Sequence, residues 1–282
     1  MRPALIVLLG AIAALVGACS PVRMLNALVL EDTHVATRDL AYGPNPRHRI
    51  DVYQPRVGSQ APVVVFFYGG SWNKGEREDY KFVGEALAAK GIVVALVDYR
   101  LYPEVRYPEF LEDGARAIAW MRGEARRFGA DPEKLFVMGH SAGAYNAAML
   151  ALDPRWLKAQ GLSPSQLAGW IGLAGPYDFL PSTNPDVQPV FHHPHYPSGA
   201  QPIEHVSKAA PRSFLGAASS DSVVNPDRNT RRLAEGLRAA SVPVTHKVYA
   251  RVNHMTLAGA FARPLRGLAP VVQDVTEFIM AN

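Results

Sequence analysis

Two hydrophobic patterns alternate along the chain. Residues 63–68 (VVVFFY) and 92–98 (IVVALVD) are apolar at nearly every position, which is typical of strands buried on both faces. Between them, residues 78–90 repeat their apolar side chains at helical spacing and stop at Gly91, a common helix terminator. The pattern predicts strands and helices in alternation.

The remaining elements continue this alternation. Predicted strands cover residues 49–53, 134–138 (introduced by an Asp131–Pro132 turn), 167–173, 213–218 and 244–249, and predicted helices cover 110–128, 142–152, 225–240 and 270–280. Repeated strand–helix–strand order predicts an α/β fold with a mostly parallel, twisted sheet and helices on both of its faces.

One segment, residues 176–211, interrupts the rhythm with eight prolines and four histidines. We expect it to be an excursion over the C-terminal edge of the sheet, where open α/β folds bind their ligands.

The first residues predict export. Residues 3–16 form an uncharged apolar run that is too short for a comfortable membrane span and suits the h-region of a signal peptide. The small residues before Cys19, the single cysteine of the chain, resemble a bacterial lipobox. That resemblance implies cleavage before Cys19 and lipid on its sulfur and new N-terminus. Cleavage after Ala18 by an ordinary signal peptidase is the alternative.

These signals divide the chain. We expect a signal peptide at residues 1–18, a tether at 19–36 and a single α/β domain at 37–282. Lipid on Cys19 would anchor the protein in the bacterial cell envelope. Ser20 resembles the sorting signal for the outer membrane, so the expected address is the outer membrane, facing the periplasm.

Composition narrows the function classes. Of the 282 residues, 48% are hydrophobic and 19% are charged, with a formal net charge of +4. The sequence has no block of Lys and Arg that would follow a phosphate backbone, so we expect no nucleic-acid partner.

Residues 139–143 (GHSAG) fit the pattern G-x-S-x-G and carry the main chemical signal. They lie between a predicted buried strand and a predicted helix, the context in which a sharp turn exposes a nucleophilic serine, here Ser141. The two glycines let strand and helix approach closely, and the new helix directs N–H groups toward the site. An ordinary small-residue turn is the alternative interpretation.

A serine nucleophile needs a base and an orienting acid, in the chain order Ser, acid, His. His246 lies inside a predicted strand, whereas His254 lies just beyond that strand in a loop that would reach Ser141. His254 is therefore the predicted base.

Three aspartates are candidates for the acid. Asp221 follows the strand at 213–218 and is the predicted acid, and Asp178, after the preceding strand, is the alternative. Asp227 falls in the first turn of a predicted helix, where its carboxylate would interact with the helix dipole.

An acyl-transfer site also needs backbone donors for the oxyanion. Ala142, directly after Ser141, offers one N–H group. Others are expected from residues 68–72 (YGGSW), whose paired glycines let an N–H group face a substrate carbonyl. Trp72 and Tyr145 flank the predicted site in sequence and are candidate substrate contacts.

Together these residues resemble the α/β-hydrolase superfamily. The most similar branch is that of esterases and lipases, with hormone-sensitive-lipase-like carboxylesterases, kynurenine formamidases and feruloyl/acetyl-xylan esterases. The resemblance spans about residues 42–280 and rests on 51–53 (DVY), 68–72, 98–103 (DYRLYP), 139–143, Asp221 and His254. It implies Ser141 as nucleophile, His254 as general base and Asp221 as orienting acid. It also implies oxyanion donors at Gly70 or Ser71 and at Ala142.

The chain departs from this family at two positions. Tyr68 stands where the family usually has a histidine that organises the oxyanion loop, a role that the Tyr68 hydroxyl would have to take. Asn253 stands where the family often has glycine. Tyr68 and His140, next to motif residues, join the candidate substrate contacts, and Asp98 with Arg100 is interpreted as a structural charge pair.

The sequence thus predicts a serine hydrolase that cleaves short-chain or small aryl and acetyl esters through an acyl-enzyme, with no metal or organic cofactor. The alternative is an amidase, formamidase or small peptidase with the same triad, and a non-catalytic binding protein on this fold is a third hypothesis. His192, His193 and His195 are dense enough to suggest zinc. Pro194 stiffens their spacing and no Cys or carboxylate adjoins them, so we expect no metal there.

Overall fold

The continuous apolar stretches of the sequence form the central strands of an eight-stranded sheet. The computed structural model describes residues 21–281; the predicted signal peptide and Cys19 lie outside them. The strands are β1 His34–Ala41, β2 Arg49–Pro55, β3 Ala61–Phe67, β4 Val93–Val97, β5 Ala130–His140, β6 Gly169–Leu173, β7 Ser213–Ala218 and β8 Val244–Tyr249. The α-helices are α1 Pro21–Ala27, α2 Lys81–Ala88, α3 Glu109–Glu124, α4 Ala142–Leu152, α5 Pro154–Lys158, α6 Arg232–Ala239, α7 His254–Gly259 and α8 Val271–Met280.

Shorter helical turns join these elements. They are the 3₁₀ turns Arg77–Tyr80, Ala125–Phe128, Pro164–Gln166, Pro189–Phe191, Pro202–His205 and Arg263–Leu268, and the π-helical turn Asp227–Arg231.

The strand order makes β3 and β5 neighbours in the middle of the sheet. The order is β1-β2-β4-β3-β5-β6-β7-β8, in which β1 and β2 pair antiparallel and β3 to β8 run parallel. The chain runs from β3 to β4 on one side, and then from β4 past β3 to β5 on the other side. Right-handed crossovers in these two opposite directions put their helices on opposite faces of the sheet. Accordingly, α2 packs beside α8, whereas α3 packs against α4 and α5. The predicted α/β fold is confirmed.

The helix after Ser141 is the most enclosed helix of the sheet's cover. Every residue of α4 is buried, because the helix lies against β5, β6, β3 and α3. Its small side chains let it approach the sheet, and this fixes the start of the helix relative to the ends of β3 and β5.

Several predicted boundaries differ from the structure. β5 begins at Ala130, not after an Asp131–Pro132 turn, because the backbone of Ala130 pairs with Ala61 on β3. The predicted helices at 78–90, 110–128 and 225–240 are each part α-helix and part 3₁₀ or π turn. Hydrophobic periodicity does not distinguish these helix types.

The predicted tether differs from the structure in its described part. α1 and the start of β1 lie within it, and His34 is buried. Leu25 and Val29 pack against the core, and the Asn26 side chain donates to the Glu78 carbonyl at 2.8 Å. The segment after residue 20 is therefore packed against the domain. Within residues 21–281, no helix combines the length and the apolar character that crossing a membrane requires.

The predicted charge pair between Asp98 and Arg100 is wrong. Asp98 contacts Arg77, which also binds Asp51 at 2.7 Å. Arg100 instead binds Asp113 on α3 with two nitrogens, Nη2 at 2.7 Å and Nε at 2.9 Å. Each charge has a partner on another element, and sequence proximity does not reveal such partners.

Arg77 is expected to be a major contributor to stability. The Asp51 and Asp98 side chains are 1% and 7% exposed, so Arg77→Leu would leave two buried carboxylates without this cation. We expect the free energy of unfolding to fall by about 3–5 kcal/mol, as measured by urea denaturation at pH 7. Arg127→Leu is the control, because Arg127 forms an exposed pair with Glu124 that is worth about 0–1 kcal/mol. Equal losses in the two variants would contradict the expectation.

Candidate active site

Ser141 lies in a sharp turn between β5 and α4. Its backbone has φ 56° and ψ −124°, a strained conformation for a residue with a Cβ atom. The turn closes only with glycine on either side. A Cβ on Gly139 would lie 2.1 Å from the Gly143 carbonyl oxygen, and one on Gly143 would lie 2.0 Å from the Phe67 carbonyl oxygen. The G-x-S-x-G pattern is thus a steric requirement of this turn.

The structure brings the three predicted triad residues into one hydrogen-bonded line. Ser141 Oγ lies 2.8 Å from His254 Nε2, and His254 Nδ1 lies 2.8 Å from Asp221 Oδ2. The other oxygen of Asp221 accepts the N–H groups of Val223 and Val224, both at 2.8 Å. An Nδ1–H bond to the carboxylate leaves Nε2 free to accept the serine hydroxyl.

Asp221 is held as a carboxylate. Burial would by itself raise its pKa, but hydrogen bonds from His254 and from the backbone of Val224 and Val223 outweigh burial, and the net pKa lies below the usual value. Asp221 is therefore ionised at neutral pH and fixes the orientation of the His254 ring.

The alternative candidates lie elsewhere. Asp178 pairs with Arg232 and, at 3.6 Å, with Arg228. Asp227 binds Arg231 one helical turn away at 3.0 Å. His246 is a residue of β8, as the sequence predicts. The structure brings none of these three to the Ser141 hydroxyl.

Asn253 positions His254, the predicted base. Its side-chain oxygen accepts the N–H groups of Met255 at 3.1 Å and Thr256 at 2.9 Å, and the Thr256 hydroxyl accepts the Asn253 N–H at 2.8 Å. This capping box starts α7 at His254. The asparagine that departs from the family pattern therefore fixes the backbone from which the imidazole projects.

The predicted oxyanion loop has an unusual backbone. Gly70, Ser71 and Trp72 have φ values of 126°, 52° and 57°, and a Cβ on Gly70 would lie 2.3 Å from the Lys74 carbonyl oxygen. Gly70 and Ser71 line the same cavity of about 530 Å³ as Ser141 and His254. We call it the main cavity. Ala142 is the first residue of α4, so its N–H has no acceptor within the helix.

Tyr68 organises this loop from beneath. Its side chain is fully buried, and its hydroxyl accepts Arg47 Nη2 at 2.6 Å. The same nitrogen donates to the Gly75 carbonyl at 3.1 Å. The Tyr99 hydroxyl donates to the Tyr68 carbonyl at 2.8 Å, and the two rings stack at 4.7 Å. Tyr68 does not line the main cavity, so its candidacy as a substrate contact is wrong. Arg47, its partner, carries no recognisable sequence signal.

Trp72 and Tyr145 are also not placed as substrate contacts. They are 1% and 0% exposed, and their rings meet edge to face at 5.1 Å. Trp72 Nε1 donates to Asn146 at 2.9 Å and the Tyr145 hydroxyl donates to the Ala200 carbonyl at 2.7 Å. Both pack under the site against Phe191 of the excursion. Large aromatic side chains here fill the core rather than the cavity wall.

His140 lines the main cavity and connects the backbone of His254 with the predicted oxyanion loop. Its Nε2 donates to the His254 carbonyl at 2.9 Å, and the Tyr80 hydroxyl lies 3.2 Å from its Nδ1. The Gly69 N–H in turn donates to Tyr80 at 3.4 Å. Burial, followed by the charge of nearby His254, lowers the pKa of His140 to about 3, and burial raises the pKa of Tyr80 to about 12. Both side chains are neutral at pH 7.

Two histidines of the excursion form hydrogen bonds with other parts of the protein. His192 Nε2 donates to the Tyr107 carbonyl at 2.8 Å, and His193 Nδ1 lies 3.1 Å from the Tyr196 hydroxyl. In the part of the chain that the structure describes, no three His, Cys, Asp or Glu side chains are grouped to hold a metal ion.

Comparison with known proteins finds a matching family model and relatives that are named as esterases. The BD-FAE family model matches residues 50–237, more than half of the chain. Esterase LipC of Mycobacterium tuberculosis is 30% identical over 247 residues, which are 80% of this chain and 59% of LipC. Isoprenylcysteine alpha-carbonyl methylesterase ICME of Arabidopsis thaliana is 36% identical over 146 residues, which are 50% of this chain and 34% of ICME. The chain thus spans about a third of ICME and under two thirds of LipC.

Solved structures establish the fold at lower identity. An esterase of Pyrobaculum calidifontis superposes with a TM-score of 0.73 and 24% identity, covering 92% of this chain and 91% of that one. A truncated carbohydrate esterase from gut microbiota superposes with a TM-score of 0.71 and 18% identity, covering 89% and 97%.

The neutral, buried state of His140 predicts acid sensitivity. Below pH 6.5 the unfolded chain takes up a proton on this histidine that the folded chain does not bind until about pH 3. Stability should therefore fall as the pH falls through this window, by about 2 kcal/mol between pH 6.5 and 5 from this group. In His140→Gln that part of the curve of unfolding free energy against pH should flatten by the same amount.

Urea denaturation at several pH values between 5 and 7 measures the slope. His195→Gln is the control, because His195 is exposed and its loss should leave the slope unchanged. Identical slopes for wild type and His140→Gln would show that the burial of this histidine does not govern acid stability.

Proposed function

The chain belongs to the BD-FAE family of α/β-hydrolases, and on that premise we propose that it is a serine hydrolase that cleaves carboxylic esters. The observation that carries the proposal is the line from Ser141 Oγ through His254 to Asp221, with two links of 2.8 Å, at the wall of the main cavity. The relatives named as esterases support ester cleavage over amide cleavage.

In the proposed reaction, Ser141 attacks the acyl carbon while His254 Nε2 takes the hydroxyl proton. The Asp221 carboxylate holds the ring in the required tautomer and stabilises the imidazolium. His254 then gives its proton to the leaving alcohol, and an acyl group remains on Ser141. Water, deprotonated by His254, attacks this ester and frees the carboxylic acid.

The negative charge that develops on the substrate oxygen needs donors that are already in place. We assign this role to the N–H groups of Gly70 or Ser71 and of Ala142, because the loop and the first turn of α4 meet beside Ser141. The positive φ values of the loop turn its amides away from the ordinary strand direction. Such preorganised donors stabilise the transition state more than the ground state.

The neutral state of His140 is consistent with this mechanism. The rings of His140 and His254 lie 5.0 Å apart. A positive charge on His140 would oppose the imidazolium that His254 becomes. The burial that keeps His140 neutral therefore favours proton uptake by the base.

We propose that the protein is exported and anchored in the cell envelope through lipid on Cys19. The apolar run at 3–16 and the small residues before Cys19 support export and lipid attachment in the cell envelope. On this proposal, the substrate is a small ester that reaches an enzyme tethered to a membrane.

Loss of any triad member should reduce turnover strongly. With p-nitrophenyl acetate, we expect Ser141→Ala and Asp221→Asn to lower kcat by about 10⁴-fold or more. The first variant removes the nucleophile, and the second no longer holds His254 in the tautomer that accepts the serine proton. A fluorophosphonate should label Ser141 in the wild type, as mass spectrometry of the peptide would show.

Asp178→Asn is the matched control for the acid. Asp178 pairs with arginines away from Ser141, so its variant should retain near wild-type kcat. Full activity in Ser141→Ala would refute the proposed nucleophile, and a larger loss in Asp178→Asn than in Asp221→Asn would reassign the acid.

Tyr68 is expected to act as a positioning residue. Tyr68→Phe keeps the ring stacked on Tyr99 but removes the hydroxyl that accepts Arg47, so the loop that carries Gly70 loses one fixed point. We expect kcat to fall about 10- to 100-fold with KM nearly unchanged, since small shifts of catalytic groups affect the transition state most. Steady-state kinetics measures kcat and KM separately.

Tyr107→Phe is the matched control, because it removes a buried-ring hydroxyl that donates to the Gly199 carbonyl at 3.2 Å, away from the loop. A purely structural role of Tyr68 would show as equal stability losses in the two variants with kcat unchanged in both.

A further inference from the structure

A second cavity opens beside the main cavity. It has a volume of about 160 Å³, and five residues line both cavities: Val22, Asp79, Tyr80, His140 and Met255. The remaining lining residues are Leu25, Phe82, Thr256, Ala258, Gly259 and Leu265. We call this smaller cavity the side pocket. A substrate held at Ser141 therefore has a neighbouring space into which one of its substituents can extend.

The side pocket is suited to an apolar group. Leu25, Phe82 and Leu265 contribute hydrocarbon to its walls. Its polar lining residues are Asp79, Tyr80, His140 and Thr256. Tyr80 and His140 lie within hydrogen-bond distance of each other, at 3.2 Å, and the Thr256 hydroxyl accepts the Asn253 N–H at 2.8 Å. An apolar cavity of about 150 Å³ is large enough to hold a benzene ring. A phenyl ring or a short alkyl chain is the group that this volume and lining fit.

The outer wall of the side pocket comes from α1. Val22 and Leu25 lie on this helix, one turn apart on the same face. The helix is held beside Tyr80 because Asn26 donates to the Glu78 carbonyl in the 3₁₀ turn that ends at Tyr80. The family model begins at residue 50, so this wall belongs to a part of the chain outside the matched region.

We propose that the side pocket binds an apolar substituent of the ester substrate, and that Leu25 of α1 limits the size of that substituent. This inference rests on the proposed esterase function and adds the substrate class: esters with a phenyl or short alkyl group on one side of the scissile bond. An apolar substituent on the acyl side or on the alcohol side of the ester would fit the side pocket equally well. Two series of substrates show which side occupies it.

The experiment changes the size of the wall and measures selectivity. Leu25→Trp would fill the side pocket and Leu25→Ala would enlarge it, in the chain with α1 intact. The acyl series compares p-nitrophenyl acetate with p-nitrophenyl hexanoate and benzoate, and the alcohol series compares methyl acetate with benzyl acetate. In one series, Leu25→Trp should lower kcat/KM for the bulky ester at least about tenfold relative to the small ester. Leu25→Ala should not lower that ratio.

Matched controls distinguish the effect of filling the side pocket from the effect of altering α1. Met24→Trp makes the same addition at a neighbouring position that is 52% exposed and lines neither cavity, so both selectivity ratios should stay at the wild-type value. Leu265→Trp narrows the side pocket from a different element, the 3₁₀ turn Arg263–Leu268, and should shift the same ratio as Leu25→Trp. This second variant tests the proposal if Leu25→Trp does not fold, as judged by thermal unfolding.

The outcomes separate the two proposals. Unchanged ratios in both series for folded Leu25→Trp and Leu265→Trp, in an enzyme that still cleaves p-nitrophenyl acetate, would overturn the side pocket and leave the esterase function intact. An equal shift in Met24→Trp would overturn the specific role of Leu25. A folded wild type that cleaves no ester of either series would overturn the esterase function and the side pocket with it.

Discussion

Direct backbone contact between the start of α4 and the ends of β3 and β5 determines the geometry of the whole site. Gly143 approaches the Phe67 carbonyl so closely that a Cβ atom would not fit, and Gly139 approaches Gly143 in the same way. Ser141 between them takes a strained conformation that the packed helix and sheet maintain. Because α4 is buried along its full length, the position of the serine is set by the core and not by a surface loop.

Beside this turn, hydrogen bonds hold the predicted oxyanion loop and the backbone of His254. Arg47 and Tyr68 support the oxyanion loop from beneath, whereas Tyr80 and His140 connect its Gly69 amide to the backbone of His254. Tyr68 and His140 are buried, Tyr80 is partly buried, and all three are uncharged at pH 7, so they add no competing charge beside the imidazole. A low-dielectric surrounding also strengthens each of these bonds. The loop and the base are thereby positioned relative to each other as well as to Ser141.

The part of the chain outside the family match contributes substantially to the site. Residues 50–237 include Ser141, Asp221 and the oxyanion loop, but His254 and α1 lie outside that range. Asn253 starts the short helix α7 at His254, and α1 closes the apolar space next to it. In the mechanism that we propose, the matched region supplies the nucleophile and the acid. The flanking segments supply the proposed base and the wall that we propose for selectivity.

The sequence alone was sufficient for features that depend on local geometry. Continuous apolar runs predicted the parallel strands, and G-x-S-x-G between strand and helix predicted the Ser141 turn, because periodicity and glycine requirements act over a few residues. Only the tertiary structure decided which charges pair, as with Asp98 and Arg77. It also decided that Tyr68 lies beneath the loop, that His140 is neutral, and that α1 packs on the domain. Burial and pairing depend on distance in space, and residues far apart in the sequence determine both.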